Sequence, residues 1–152
     1  MAALEFKFSS DQQHQLEAIE ATCDLFRGQQ FIWQRILRRF RPQRPDAIGE
    51  LMVGHGNELR VAPGQLLDNL HAVQEEGCLP ATDVLTDGRL RDFTVEMETG
   101  TGKTYVYIRS IYELNRRYGI TKFVIVVPSV AIREGVLKSL QTTRRHFETL
   151  YD

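Results

Sequence analysis

The order of apolar and polar residues predicts an amphipathic helix near the start of the chain. Apolar residues recur at three- and four-residue spacing from Leu16 to Phe26, which places them on one face of a helix. Ser10 and Gln13 have the spacing of a capping box, which would begin this helix. Gly28 would end it, because glycine readily adopts the left-handed conformation found after helices.

Two further helices are predicted before residue 91, separated by irregular chain. One covers residues 31–40 and the other ends at Gly77, and both carry apolar residues at helical spacing. Residues 42–64 are rich in proline and glycine, and residues 78–90 contain an Asp-Gly turn signal. We expect both of these segments to be loops, and a loop as long as the first is usually functional or an insertion.

From residue 91 onward the pattern changes to strands that alternate with helices. Residues 93–97 alternate between apolar and polar side chains, which predicts a half-buried strand. Residues 123–127 form a continuous apolar run, as expected of a strand buried on both faces. A helix between them would end at Gly119, and another would follow Pro128. The pattern indicates an α/β fold, with a parallel sheet and flanking helices, preceded by a mainly helical segment.

A glycine-rich loop lies between the first predicted strand and its helix, and it reads Thr99-Gly100-Thr101-Gly102-Lys103-Thr104. Glycines let the backbone turn tightly and direct successive N–H groups at phosphate oxygens. Lys103 could reach the β- and γ-phosphates of a nucleoside triphosphate, and the Thr104 hydroxyl could bind Mg²⁺. The strict pattern has a glycine where this chain has Met97, but the preceding strand and following helix supply the context that the motif requires.

The composition is that of an ordinary globular protein. The formal net charge is -1 over 152 residues, so a nucleic-acid site would have to be a local groove. No apolar stretch reaches the roughly 20 residues that span a bilayer, and the first residues lack the pattern of a signal peptide. We therefore expect a cytoplasmic protein that contacts no membrane. Cys23 and Cys78 are expected to be reduced thiols, and the four histidines lack the spacing of zinc ligands.

Three phrases of the sequence resemble motifs of superfamily 2 helicases. Residues 93–105 are similar to motif I, and members of that superfamily commonly carry a residue other than glycine at the position of Met97. Residues 123–136 resemble motif Ia, and residues 12–19 resemble the upstream glutamine motif. The first two phrases together are most similar to the Res subunit of type III restriction–modification enzymes. The resemblance covers most of the chain and is weakest over residues 29–64.

This resemblance implies a site for ATP and Mg²⁺. Lys103 and Thr104 would be the catalytic residues, and Thr104 would also be the ligand of Mg²⁺. The residues that the resemblance implies in nucleotide binding are Gln15, Thr99, Gly100, Thr101, Gly102, Lys103, Thr104 and Tyr105.

The upstream glutamine of superfamily 2 reads the adenine edge, because an amide donates and accepts hydrogen bonds at once. Gln15 stands at the corresponding position, with His14 where the family has a tyrosine. Gln12 and Gln13 are alternative candidates, and Gln13 could simply be the capping residue. A further alternative is that all three are solvated residues at the start of a helix.

The similarity to motif Ia implies DNA contacts by Pro128, Ser129 and Arg133. Ser129 and nearby backbone N–H groups would hold DNA phosphates at the carboxyl end of a strand, where open α/β sheets place ligands. Arg133 is a second-line candidate. Its alternative interpretation is an exposed helix arginine without a role in binding.

The resemblance also divides the chain into three segments. Residues 1–28 would contain the glutamine-motif helix, residues 29–90 a variable insertion of helices and loops, and residues 91–152 the first part of a RecA-like ATP-binding lobe. ATP hydrolysis also needs an acidic motif and usually an arginine finger, and neither is recognisable here. We therefore expect an amino-terminal fragment that alone neither hydrolyses ATP nor cleaves DNA, and that binds ATP weakly if at all.

The leading functional hypothesis is the ATP- and DNA-binding portion of a Res subunit. In the complete protein, ATP-dependent translocation along DNA would be coupled to endonuclease cleavage, with a modification (methyltransferase) subunit as partner. The alternatives are another superfamily 2 DNA or RNA helicase without a nuclease, and a non-catalytic remnant.

Overall fold

The computed structural model describes residues 8–31, 57–82 and 92–152. The helices of these residues are α1 (Gln13–Asp24), α2 (Pro63–Glu76), α3 (Lys103–Tyr118) and α4 (Val130–Tyr151). Helix α3 is central, because it packs against both α1 and α4, and α1 in turn packs against α2. The helix predicted over residues 31–40 lies outside the described residues, apart from its first position, as do most of the loops predicted at 42–64 and 78–90.

Three apolar clusters hold these helices together. Ile19 and Cys23 of α1 meet Val106 and Leu114 of α3 in the first cluster. The second cluster lies under α2, around Val61 and Leu66. The third joins the start of α3 to the end of α4 through Tyr105, Ile108 and Phe147. The loop before α3 is thus attached to a helix that is buried from two sides.

The prediction of an α/β fold with a parallel sheet is wrong for the described residues. Neither residues 93–97 nor residues 123–127 form a strand, and the described part contains helices without a sheet. Phe123 does pack against the first cluster, but Val124 and Val126 are 88% and 87% exposed, so the second segment is not buried on two faces. The physical reason is that a strand requires a paired neighbour, and an apolar run in the sequence does not show whether such a partner is present.

The predicted helix ends are confirmed for α2 and α3 and are wrong at both ends of α1, which ends at Asp24 with Leu25 as its C-cap and not at Gly28. Gly77 caps α2, and Gly119 caps α3 in the left-handed conformation at φ 70°, which confirms both predicted ends. Helix α1 lacks the predicted capping box, because its N-cap is Gln12, which makes no side-chain capping bond. Gln13 instead donates from Nε2 to Oε1 of Glu17, 2.9 Å away.

A polar network joins α1, α3 and α4 on the side away from the loop. Glu113 of α3 is 5% exposed and accepts hydrogen bonds from the Tyr151 hydroxyl at 2.8 Å and from Nε of Arg117 at 3.0 Å. Arg117 also donates from both terminal nitrogens to Glu20 of α1. Burial alone would raise the pKa of Glu113, but hydrogen bonds from Tyr151, Arg116 and Arg117 lower it, so the carboxylate stays ionised.

Both cysteines are free thiols. Cys23 is fully buried on the face of α1 that packs against α3, and this burial raises the pKa of its thiol to about 12. Cys23 therefore acts as a small apolar core residue.

Candidate functional site

The glycine-rich loop turns tightly in front of α3. Gly100 and Gly102 adopt φ values of 86° and 91°, in the left-handed region that favours glycine. The Thr101 hydroxyl donates to the carbonyl oxygen of Glu98 at 2.7 Å, which closes the turn. Gly102 is the N-cap of α3 and offers no side chain to its first turn. The first N–H groups of α3 therefore lack both an intrahelical and a side-chain acceptor, and the positive end of the helix dipole lies beside them.

Lys103 reaches back over this loop. Its Nζ donates to the carbonyl oxygen of Met97 at 2.7 Å, and the side chain is exposed. Thr104 is half-buried and borders a depression of about 370 Å³ between α3 and α4. Thr99 is exposed. The structure therefore places the predicted loop residues together at the start of one helix, with Lys103 and Thr104 directed to different sides of it.

Gln15 of α1 contacts the loop directly. It is 6% exposed, and its Nε2 donates to the carbonyl oxygen of Thr101 at 2.9 Å. Nε2 of His14 lies 3.1 Å from the same oxygen. The interpretation of Gln15 as a solvated helix-start residue is therefore wrong, whereas Gln12 and Gln13 are both exposed.

The approach between Gln15 and the loop is close enough to require glycine. A Cβ atom placed on Gly102 would lie against Nε2 of Gln15. Moving that amide aside would break its hydrogen bond to Thr101. Gly102 is thus constrained twice, by its positive φ and by its neighbour.

A cavity of about 300 Å³ opens between the loop and the chain that leads into α1. This volume is at the lower end of the range for small-molecule sites. Its lining combines loop backbone, amide side chains and aromatic rings, from Phe8, Ser9, Gln12, Gln15, Gly100, Thr101, Gly102 and Tyr105. The cavity therefore offers hydrogen-bonding groups at one wall and flat apolar surface at another.

Tyr105 forms the aromatic wall of this cavity together with Phe8. The two rings are 6.4 Å apart between centroids and nearly parallel, at 14°. Tyr105 is 8% exposed, and this burial raises the pKa of its hydroxyl, although the charge of Arg109 opposes the shift. No signal in the sequence indicates that Phe8 faces the loop.

The residues implied in DNA binding lie apart from this cavity. Ser129 is the N-cap of α4, and its hydroxyl accepts from the backbone N–H of Ile132 at 3.3 Å. Pro128 and Arg133 are exposed, and none of the three residues lines the cavity beside Gly102. The exposure of Arg133 is consistent with its alternative interpretation as a helix arginine without a role in binding.

Two wider features of the described residues bear on function. In residues 8–31, 57–82 and 92–152, no three His, Cys, Asp or Glu side chains converge as a metal-ion cluster. None of the helices described is long and apolar enough to cross a bilayer.

Comparison with known proteins identifies the family. Residues 8–149 match the family model described as type III restriction enzyme, res subunit. The chain is 31% identical over 149 residues to the EcoPI Res subunit of Escherichia phage P1, a match that covers 97% of the chain and 14% of that relative. It is 35% identical over 96 residues to the EcoP15I Res subunit of Escherichia coli, covering 62% of the chain and 10% of the relative. It is 53% identical over 60 residues to the StyLTI Res subunit of Salmonella typhimurium, covering 38% and 6%.

The chain therefore spans only a small part of the length of these relatives. The family model nevertheless covers nearly all of it, including α1, the glycine-rich loop and most of α4. This chain belongs to the family of type III restriction enzyme Res subunits.

Proposed function

We propose that the loop before α3 and Gln15 of α1 form an ATP-binding site. The observation that carries the proposal is the hydrogen bond from Gln15 to Thr101, which joins residues 86 positions apart around one cavity. A glutamine side chain and a phosphate-binding loop can bind the same nucleotide only if they lie close together. Gln15 and Thr101 are in direct contact. The match to Res subunits supports the same interpretation.

The start of α3 suits the phosphates of ATP. The unsatisfied N–H groups of its first turn and its dipole favour an anion, as at other helix N-termini. Lys103 would release the neutral carbonyl oxygen of Met97 and bind a phosphate oxygen instead. The hydrogen bond to the charged phosphate is stronger than the bond to a neutral carbonyl. The neighbouring glycines allow the phosphates to approach the backbone.

Magnesium would enter this site with ATP. Mg²⁺ in nucleotide sites usually keeps several waters and takes its other ligands from carboxylates and phosphates. The Thr104 hydroxyl would supply one oxygen ligand from the depression next to this cavity, which shares Gly102 and Tyr105 with it. The ion would neutralise charge on the phosphates, while Lys103 and the backbone N–H groups hold them in place.

The other end of the cavity suits the base. Nε2 of Gln15 is used by Thr101, and among the described residues no donor is found for its Oε1. That oxygen can accept from the exocyclic amino group of adenine. Phe8 and Tyr105 provide flat surface against which a base can stack. An amino-bearing purine such as adenine is therefore favoured over a base that presents only acceptors.

The DNA-binding part of the proposal rests on the start of α4. Ser129 caps the helix with its own hydroxyl, so DNA phosphates would contact the free N–H groups of the first turn and not this side chain. Arg133 lies one turn further along and is exposed, which permits a second contact with the backbone of DNA.

In the complete protein, we propose that ATP binding at this site supports translocation along DNA coupled to endonuclease cleavage. The relatives are Res subunits of restriction–modification enzymes, which supports DNA as the substrate and a modification subunit as the partner. The same matches favour this hypothesis over a helicase without a nuclease.

The experiment uses a complete Res protein with this segment, assembled with its modification subunit. Lys103→Ala should reduce DNA-dependent ATP hydrolysis about 100-fold or more, because one preorganised charge at the reacting phosphates is lost. Lys122→Ala is the matched control, because it lies beyond the opposite end of the 16-residue α3, about 24 Å along the helix. Equal hydrolysis by both variants would contradict the proposed role of the loop.

A further inference from the structure

Tyr105, in the first turn of α3, is contacted by three other side chains. Its ring stacks on Phe147 of α4, 5.2 Å away between centroids, and lies nearly parallel to Phe8. Its hydroxyl lies 2.8 Å from Nε2 of His146, which belongs to α4. The ring that lines the cavity therefore takes its orientation from a helix that contributes nothing else to the cavity lining.

His146 is placed to fix both rings of the aromatic wall. Its imidazole lies 5.6 Å from the Phe8 ring and 5.6 Å from the Tyr105 ring. Burial lowers the pKa of His146, and the charge of Arg109 lowers it further. The neutral imidazole can accept a hydrogen bond at Nε2 from the Tyr105 hydroxyl, and this bond restricts rotation of the phenol ring about its side-chain torsions.

We propose that His146 is a positioning residue for the base of the bound nucleotide, acting through the Tyr105 hydroxyl. The inference rests on the proposed ATP site. With the phosphates at the start of α3, the base is directed toward the wall formed by Phe8 and Tyr105. Stacking against an aromatic face depends on ring orientation, so a hydrogen bond that fixes this orientation contributes to affinity for the base and not for the phosphates.

The test compares ATP with inorganic tripolyphosphate, both with Mg²⁺, because only ATP carries a base. Binding to the 152-residue chain is measured from amide chemical shifts in ¹⁵N-labelled protein. His146→Phe keeps an aromatic ring but removes the acceptor. It should weaken ATP binding about three- to tenfold, the effect of one lost hydrogen bond, and leave tripolyphosphate binding unchanged.

Two further variants separate positioning from a general effect on the fold. Tyr105→Phe should weaken ATP binding at least as much as His146→Phe, because the Tyr105 hydroxyl also interacts with Arg109. Adding His146→Phe to Tyr105→Phe should weaken it no further, because the bond between the two residues is already lost. His146→Gln restores an acceptor and should recover part of the affinity. His71→Phe is the control, because Nε2 of His71 in α2 is hydrogen-bonded as well, in its case to the backbone carbonyl of Thr82, but His71 lies outside the cavity lining.

The outcomes are distinguishable. If the native chain binds both ligands and His146→Phe binds ATP with native affinity, the role of His146 is overturned while the ATP site stands. Equal weakening of both ligands by His146→Phe would overturn it as well, in favour of a purely structural role. If the native chain binds both ligands at residues away from the loop, the proposed ATP site itself fails.

Discussion

At the scale of single residues, the contact between Gln15 and Thr101 joins two sequence motifs that lie far apart along the chain. The resemblance to a helicase family placed both residues in a nucleotide site, but it did not indicate that they touch. A side chain that bonds to a backbone carbonyl 86 positions away leaves no trace in composition or periodicity. Phe8 and His146 were missed for the same reason, since aromatic and imidazole rings at these positions are equally consistent with ordinary core packing.

The constraint on Gly102 leads to a stability prediction. Gly102→Ala should lower the free energy of unfolding by about 1–2 kcal/mol, because an L-residue in the left-handed conformation costs that much, before any loss of the Gln15 bond. Urea unfolding measures the change. Gly135→Ala is the matched control, since Gly135 lies within α4 with open space around it and alanine should stabilise by about 0.5–1 kcal/mol. Native stability of Gly102→Ala would show that the loop does not hold this conformation.

His146 makes the free energy of unfolding depend on pH. Its folded pKa lies below the ordinary value of 6.5, through burial and through Arg109 of α3, while the hydroxyl of Tyr105 faces its Nε2. The unfolded chain therefore binds the proton more readily, and stability is lost as pH falls from 6.5 through the folded pKa. Urea unfolding between pH 7.5 and 5.5 should show a smaller decline for His146→Phe than for the native chain. An identical decline would assign the pH dependence to other groups.

At the scale of elements, the helices were predictable where their ends are local. Gly77 and Gly119 cap helices as expected, and α4 begins just after Pro128, because capping depends on a few adjacent residues. The strands were not predictable in this way. Residues 93–97 and 123–127 have strand-like patterns, but a sheet depends on partners distant in sequence, and the described residues do not provide a paired sheet.

The network around Glu113 leads to a prediction about how the helices are joined. Glu113→Gln should lower the free energy of unfolding by about 1.5–3 kcal/mol, because Arg117 and Tyr151 lose a buried charged acceptor. Glu148→Gln is the control, since its pair with Arg144 is exposed on α4 and should contribute less than about 1 kcal/mol. If both substitutions have the same small effect in urea unfolding, the network does not join α1, α3 and α4.

At the scale of the whole molecule, the family assignment and the geometry support each other. The chain matches Res subunits over residues 8–149 but spans only 14% of the relative from Escherichia phage P1, so translocation and cleavage are proposals for the complete protein. The described residues contain a glycine-rich loop fixed to α3, and the cavity beside it is lined by the loop, the start of α3, α1 and the chain that leads into α1, while α4 packs against Tyr105. ATP binding is therefore the part of the proposal that this chain can test by itself.

The most direct measurement is a titration of the ¹⁵N-labelled 152-residue chain with Mg²⁺-ATP, followed by amide chemical shifts that detect even weak binding. We expect the largest shifts at residues 100–105 and at Gln15, and we expect Lys103→Ala to abolish them while Lys122→Ala leaves them intact. If Mg²⁺-ATP shifts amides elsewhere in the chain and not these, or if Lys103→Ala responds like the native chain, the loop is not the ATP site.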